Sequence, residues 1–454
     1  MDFIKKQFKI IIALAAVLGI VFGIYKITNR CVLDGSGICY DKKLETFEIE
    51  KDAKISVQVE SEALGEYLVD TWNTLHPEHA NGIDYVVAKP LDLTRLADDF
   101  ETDVIVTSLS NSAYVLGDVF DLGKDVEEHI LKYSSRSFEN FVNETGVYFI
   151  PNSVKGWTFI YNKTLAEELG INLEDTNGNR LPDSFESWEK LIKLDKLVFE
   201  ELDILFPLSF KDQFSFYPFL TSGKWHLNFT GVGNDAGFET REFLSGLEFV
   251  EKMSNANLYK EKKEAASLEW QYNTALFERK TVFSMMSDWM NFEEVKTDDE
   301  YVLAPFPSFE GNPLRPKGEV DGYLVSKETK YPSASTEAIR ILRDAKAFEV
   351  YSSSDNKIFV YHRDYIDDLE GDASKIDLVY ALNFIDPDPV MLLEDAPTVF
   401  SRTFFYEENF MQPIRDLYDG KISTLKAQEE IKAIYEAWFQ KQVDEGDVDV
   451  EETD

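Results

Sequence analysis

Residues 175–186 read Asp-Thr-Asn-Gly-Asn-Arg-Leu-Pro-Asp-Ser-Phe-Glu, with oxygen-bearing side chains at positions 1, 3, 5, 9 and 12 of the run: Asp175, Asn177, Asn179, Asp183 and Glu186. A calcium ion takes such oxygens from a tight turn leading into a helix, with a backbone carbonyl at position 7, here that of Leu181. Two departures lower the expected affinity. Arg180 stands where a glycine usually makes the turn, and two of the ligands are neutral asparagines. The same residues also have a mechanical use, because Asp183 to Glu186 can cap a helix unaided and Asn-Gly is a turn signal. Both readings stay open, and a bound calcium ion would be structural.

Other chemistries find little support. The five histidines are scattered, and His76-Pro-Glu-His79 falls in a loop after a helix, not on one helical face, so it is no zinc site. No Gly-x-Ser-x-Gly turn, phosphate loop or dinucleotide fingerprint occurs. Glycoside hydrolysis needs two opposed carboxylates, but among 84 Asp and Glu any pair could be nominated. The expectation is therefore a protein that is not an enzyme. A net charge of -38 excludes nucleic acid as a partner, since that needs a basic face to replace counterions.

The elements that must position these residues follow from periodicity. Lys54 to Val59 alternates as a strand, and Ala63 to Leu75 carries Leu64, Tyr67, Leu68, Thr71, Trp72 and Leu75 on one helical stripe. A second strand at Tyr85–Val87, a helix from Leu91 to Phe100 and a third strand from Thr102 follow. That alternation means a parallel sheet with crossover helices, whose ligands sit beyond the carboxyl ends of the strands. Those ends fall near Glu60 and near Ser108, Ser110 and Asn111. Further helices are expected over Lys163–Leu169, Trp188–Glu200, Glu239–Ala256, Ser335–Val350 and Met411–Trp438.

The stretch from Tyr148 to Leu191 adds a resemblance. A buried strand (Trp157 to Tyr161) ends in Tyr161-Asn162-Lys163 and a helix, and Ser187-Trp188-Glu189 then opens another. This resembles the first inter-lobe crossover of extracellular solute-binding proteins of the maltose-binding type. Ala275 to Met290, Tyr301-Val-Leu-Ala-Pro-Phe-Pro and Glu319-Val-Asp-Gly-Tyr-Leu-Val-Ser resemble that family's later strands, in the same order. The likeness covers about residues 53–440 and implies an α/β fold of the two-lobed, periplasmic-binding-protein type II class. Lobe 1 would comprise 53–154 and 320–380; lobe 2 would comprise 155–303 and 390–440. Three segments, near 149–157, 301–320 and 380–392, would cross between them.

The resemblance further implies a carbohydrate held in the cleft, with ABC permease subunits as partners. A sugar needs flat apolar faces against its ring and planar polar groups for its hydroxyls. Trp289, flanked by Asp288 and Asn291, falls at the family's stacking tryptophan. Phe214 lies near another stacking position ahead of Tyr217, and Tyr406 near a third. Trp157 opens the crossover strand, and Ser108, Ser110, Asn111 and Glu60 would supply hydrogen bonds from the first lobe. For each of these residues, core packing or a solvated surface is the competing fate. Lys155 stands where maltose binders carry a carboxylate, which leaves room for an acidic or phosphorylated sugar.

At the amino end, Ile10 to Tyr25 is an unbroken apolar run, with Lys5, Lys6 and Lys9 before it and Lys26 and Arg30 after. It lacks a small-residue cleavage site, and the basic bias places the first residues in the cytoplasm. Residues 1–30 are therefore read as a cytoplasmic tip and a single transmembrane signal anchor, with a cleaved signal peptide as the competing account. Residues 31–52 would form a juxtamembrane linker holding Cys31 and Cys39, bridged or free, and 441–454 an acidic disordered tail. The expectation is a monomer anchored in the cell membrane, with the bulk of the chain extracellular. A two-lobed surface sensor or adhesin without transport, and a tethered glycoside hydrolase, remain as alternatives.

Overall fold

The computed structural model describes residues 36–91, 100–134, 146–194, 202, 206, 213–225, 236–256, 272–287, 297–354, 358–369, 376, 379–381, 386–387, 404 and 410–445. Among these, no helix is long and apolar enough to cross a membrane. The apolar run 10–25 lies outside them, as do residues 92–99 of the helix expected from Leu91 to Phe100. Cys39 is half of a disulfide. Cys31, the chain's only other cysteine, lies outside the described residues.

The first described element corrects the linker expectation. Strands β1 (Tyr40–Asp41) and β2 (Thr46–Phe47) pair antiparallel. Ile38 and Phe47 are sealed within the first hydrophobic core, and the Phe47 amide donates to Glu337 at 2.9 Å. A charged run thus hides two apolar anchors that bind it to the first lobe.

Strand β3 (Ile55–Val59) lies parallel to both β4 (Ile83–Val87) and β5 (Val104–Ser108). Helix α1 (Glu62–Leu75) makes the crossover between β3 and β4. It starts where the Ser61 hydroxyl accepts the Leu64 amide, and it buries Leu64, Leu68 and Trp72. Leu75, expected on that stripe, is exposed in the last turn. After β5 come two short helices, α2 (Leu109–Ser112) and α3 (Gly123–His129).

Strand β6 (Ile150–Asn162) is long because it serves two sheets. It ends where the Asn162 side chain caps α4 (Lys163–Glu168), and Ser187 caps α5 (Trp188–Lys193) in the same way. Helices α6 (Gln213–Leu220), α7 (Arg241–Asn255) and α8 (Tyr272–Phe277) lead to β7 (Phe283–Ser287) and β8 (Tyr301–Ala304). Strand β9 (Lys317–Val325) then runs back beside β6.

From Ile150 to Gly156, β6 pairs with β9; from Trp157 to Asn162 it pairs with β7 and β8. The seam between the lobes therefore falls at Gly156–Trp157. At the other end of the β6–β9 pairing Gly322, opposite Pro151, permits close approach, since a Cβ at that position would lie 2.4 Å from the Ile150 carbonyl oxygen.

The closing helices differ from expectation in two places. A single helix over 335–350 is instead α9 (Pro332–Leu342) and α10 (Ala345–Ser354), because the Asp344 carboxylate accepts the Ala347 amide at 2.7 Å and starts a new helix. Strands β10 (Ile358–Phe359) and β11 (Asp386–Pro387) follow, beside β6 and β9 respectively. The last helical stretch is likewise two helices, α11 (Met411–Tyr418) and α12 (Thr424–Glu445), parted at Gly420, whose φ of 70° ends the first. Helix α12 runs into the stretch expected to be disordered, as far as Glu445.

In space the strands run β10–β6–β9–β5–β3–β4. One core gathers mainly round this path, and a second gathers round the far half of β6.

Candidate functional site

Strand register brings three polar side chains into one row at the carboxyl end of β5. Asp321 of β9 lies opposite Ser108 on one side and opposite Ser153 of β6 on the other. Residues directly opposed in antiparallel strands point to the same face, so the three share a surface next to the seam. Asp321 is 2% exposed, and Ser108 and Ser153 are also buried. Buried polar atoms are nearly always paired. Ser153 Oγ has no hydrogen-bond partner among the described residues, and neither does the neighbouring Asn152 Oδ1. A register shift between Pro151 and Ser153 marks the same point on β6.

Glu60, just past β3, belongs to a connected network. The Tyr351 hydroxyl donates to Glu60 Oε2 at 2.8 Å and accepts from Asn152 Nδ2 at 2.5 Å. Burial pushes the Tyr351 pKa well above its ordinary value, which keeps the phenol protonated and able to donate. Glu60 is thus tied to the crossover strand.

The other expected site residues are divided by the structure. Trp157 stands opposite Ser287, the last residue of β7, and is 8% exposed within the second core. Asp288, Trp289 and Asn291 come directly after β7 in the chain and lie outside the described residues, as does Tyr406. The backbone at Lys155 lies opposite Glu319. Ser110 and Asn111 fall in α2 and Phe214 in α6, where the backbone alone is described. Tyr217 is 0% exposed, with its ring 5.7 Å from that of Trp225. That packing leaves no ring face for a ligand.

Asp321 and Ser153 were not singled out from the sequence. A signal existed: a carboxylate inside the otherwise apolar strand Val320–Val325 has to meet something polar.

In the 175–186 loop, Asp175 accepts the amides of Gly178 (2.8 Å), Asn179 (3.3 Å) and Arg180 (2.8 Å). Arg180 adopts the left-handed conformation (φ 59°) that this position demands. Asp183 accepts the amide and hydroxyl of Thr176, which holds its pKa below the ordinary carboxylate value. Glu186 accepts from Asn177 and from Lys190, the latter at 2.6 Å. Among the described residues, no group of three His, Cys, Asp or Glu side chains is arranged to hold a metal ion.

A family model described as bacterial extracellular solute-binding protein matches residues 93–349, more than half of the chain. Among solved structures, the chain is similar to a maltodextrin-binding protein from L. casei BL23 without ligand. The identity is 12% and the TM-score 0.57, covering 86% of this chain and 100% of that one. It is also similar to a family 1 extracellular solute-binding protein from Bifidobacterium longum subsp. infantis. Here the identity is 17% and the TM-score 0.58, covering 85% and 99%. At such identities the likeness concerns the fold, which is two-lobed and α/β. No curated protein sequence matches the chain. With a strand shared by two sheets, a polar row at their seam and a family match across both lobes, the chain belongs to the bacterial extracellular solute-binding proteins.

Proposed function

We propose that the protein captures a carbohydrate between its lobes and delivers it to an ABC permease as a monomer tethered to the membrane. The observation that carries the reading is the Ser153 Oγ, unpartnered among the described residues and in line with Asp321 and Ser108 beside the seam. An unpaired buried hydroxyl costs about 1–3 kcal/mol, which a solute hydroxyl would offset. The nearby Trp157, the family's solute-binding role and the likeness to a maltodextrin-binding protein favour a sugar. Closure of the lobes about β6 would complete the contacts.

A thermal-shift screen against mono- and oligosaccharides tests the proposal. A true ligand raises the melting temperature with concentration, and a panel with no such member rejects the carbohydrate reading. The run Ile10–Tyr25 supports the tether, and recovery of the full chain from the soluble fraction without detergent would refute it. For the 175–186 loop the proposal is a structural calcium ion, supported by the oxygen spacing and the turn at Arg180. It requires Glu186 to exchange Lys190 for the ion. Isothermal titration of chelator-treated protein should show uptake of one calcium, and no heat at millimolar calcium would refute it.

A further inference from the structure

A cavity of about 550 Å³ opens in the first lobe, where β1, the end of α3 and the α9–α10 junction meet. None of its lining residues belongs to the second lobe or to the Ser153–Asp321–Ser108 row. Arg343 lines it and is only 4% exposed. A buried guanidinium normally faces a carboxylate. Among the described residues this one instead donates to neutral oxygens: the carbonyls of Asn152 (3.3 Å) and Val360 (2.9 Å) and the Ser134 hydroxyl (3.0 Å). Its Nε is buried with no hydrogen-bond partner among the described residues.

The neighbouring charges do not cancel it. Arg340 is occupied by Glu337, and the Asp344 carboxylate takes the Tyr67 hydroxyl (2.8 Å) and the Ala347 amide. The mouth carries both signs, with Lys42 and Lys132 against Glu45 and Asp368, all exposed, so it selects neither. The walls add a second unpaired polar atom and flat rings. His129 Nε2 is buried and has no hydrogen-bond partner among the described residues, with its ring stacked on Tyr40 at 3.7 Å, and Tyr133 stacks with Tyr361 at 5.9 Å.

We propose that this cavity is a second binding site, taking a small solute whose carboxylate or phosphate group pairs with Arg343. The oxyanion would supply the counter-charge that the guanidinium lacks, and the tyrosine rings would flank the rest of the solute. Burial lowers the Arg343 pKa to about 10, so the group remains charged at neutral pH.

The test is a thermal-shift titration of the full chain with inorganic phosphate and with succinate, against chloride at matched ionic strength. The expected result is a saturable rise with at least one oxyanion and none with chloride; which of the two works identifies the head group. Arg343→Met should weaken the apparent affinity about tenfold or more, as expected for losing a charge-assisted hydrogen bond. Should that variant not fold, exposed Lys132→Glu should weaken it several-fold with the fold intact. No saturable rise beyond chloride overturns the proposal, and so does a rise that the folded variants leave unchanged.

Discussion

In the first lobe the buried side chains are mostly aliphatic and close round charge. Glu337 is buried against His76 (2.9 Å) and Arg340 (2.7 Å), and Arg343 is buried nearby. In the second lobe rings pack on rings: Trp188 meets Phe206 at 5.1 Å, Phe219 at 5.5 Å and Phe249 at 6.0 Å, and Phe159 meets Phe283 at 5.7 Å. The second lobe thus uses many of its described aromatic residues for packing. A high aromatic content invites a reading of many sugar platforms, yet Tyr217 and its neighbours stabilise a core. The polar groups at the seam come from β5, β9 and the first half of β6, on the first-lobe side.

Each half of the contrast can be attacked by substitution. Trp188→Ala removes a wholly buried ring from the second core and should cost about 3–5 kcal/mol in urea unfolding. A loss below about 1 kcal/mol would mean the ring cluster is not what holds that lobe.

Glu337→Gln tests the charged cluster, with an expected cost of about 2–3 kcal/mol at neutral pH. Burial opposes the Glu337 charge, but hydrogen bonds from Arg340 and His76 outweigh it and leave the pKa below its ordinary 4.5. A depressed folded pKa gives stability that is full above the unfolded value and lost as pH falls below it. The wild type should therefore weaken below about pH 4.5 more steeply than the variant; parallel acid limbs in the two melting curves would contradict this.

Asp321→Asn should reduce solute affinity about tenfold to a hundredfold, read by titration calorimetry on the folded variant. The smallest effect belongs to Ser153→Ala. It should raise the stability of the solute-free protein by about 1 kcal/mol, by removing the unpaired hydroxyl, and weaken the solute by a few-fold.

Much of the fold was legible because it rests on periodicity. The alternation of Lys54–Val59 gave β3, and the stripe through Leu64, Leu68 and Trp72 gave α1. What periodicity could not show was where a side chain interrupts the backbone. The apolar pattern runs on through 343–344, but the Asp344 cap breaks the helix there. The hairpin at 40–47 escaped notice because its strands have two residues each and its only buried apolar anchors, Ile38 and Phe47, are far apart in a charged run. At the site, Glu60 and Ser108 are nominated by the rule that ligands lie beyond strand ends. Asp321 and Ser153 are not, because their juxtaposition depends on register across three strands. Tyr217, beside the Phe214 stacking position, could not be told from a core residue because an aromatic residue has the same letter in a core as in a cleft.

On the proposed reading the two lobes close on a solute at the β6 seam. Small-angle X-ray scattering of the protein across the sugar panel tests it most directly. One sugar is expected to reduce the radius of gyration in a saturable way, and Asp321→Asn should shift that transition to higher concentration. A sugar that binds to saturation and leaves the scattering profile unchanged would contradict the account.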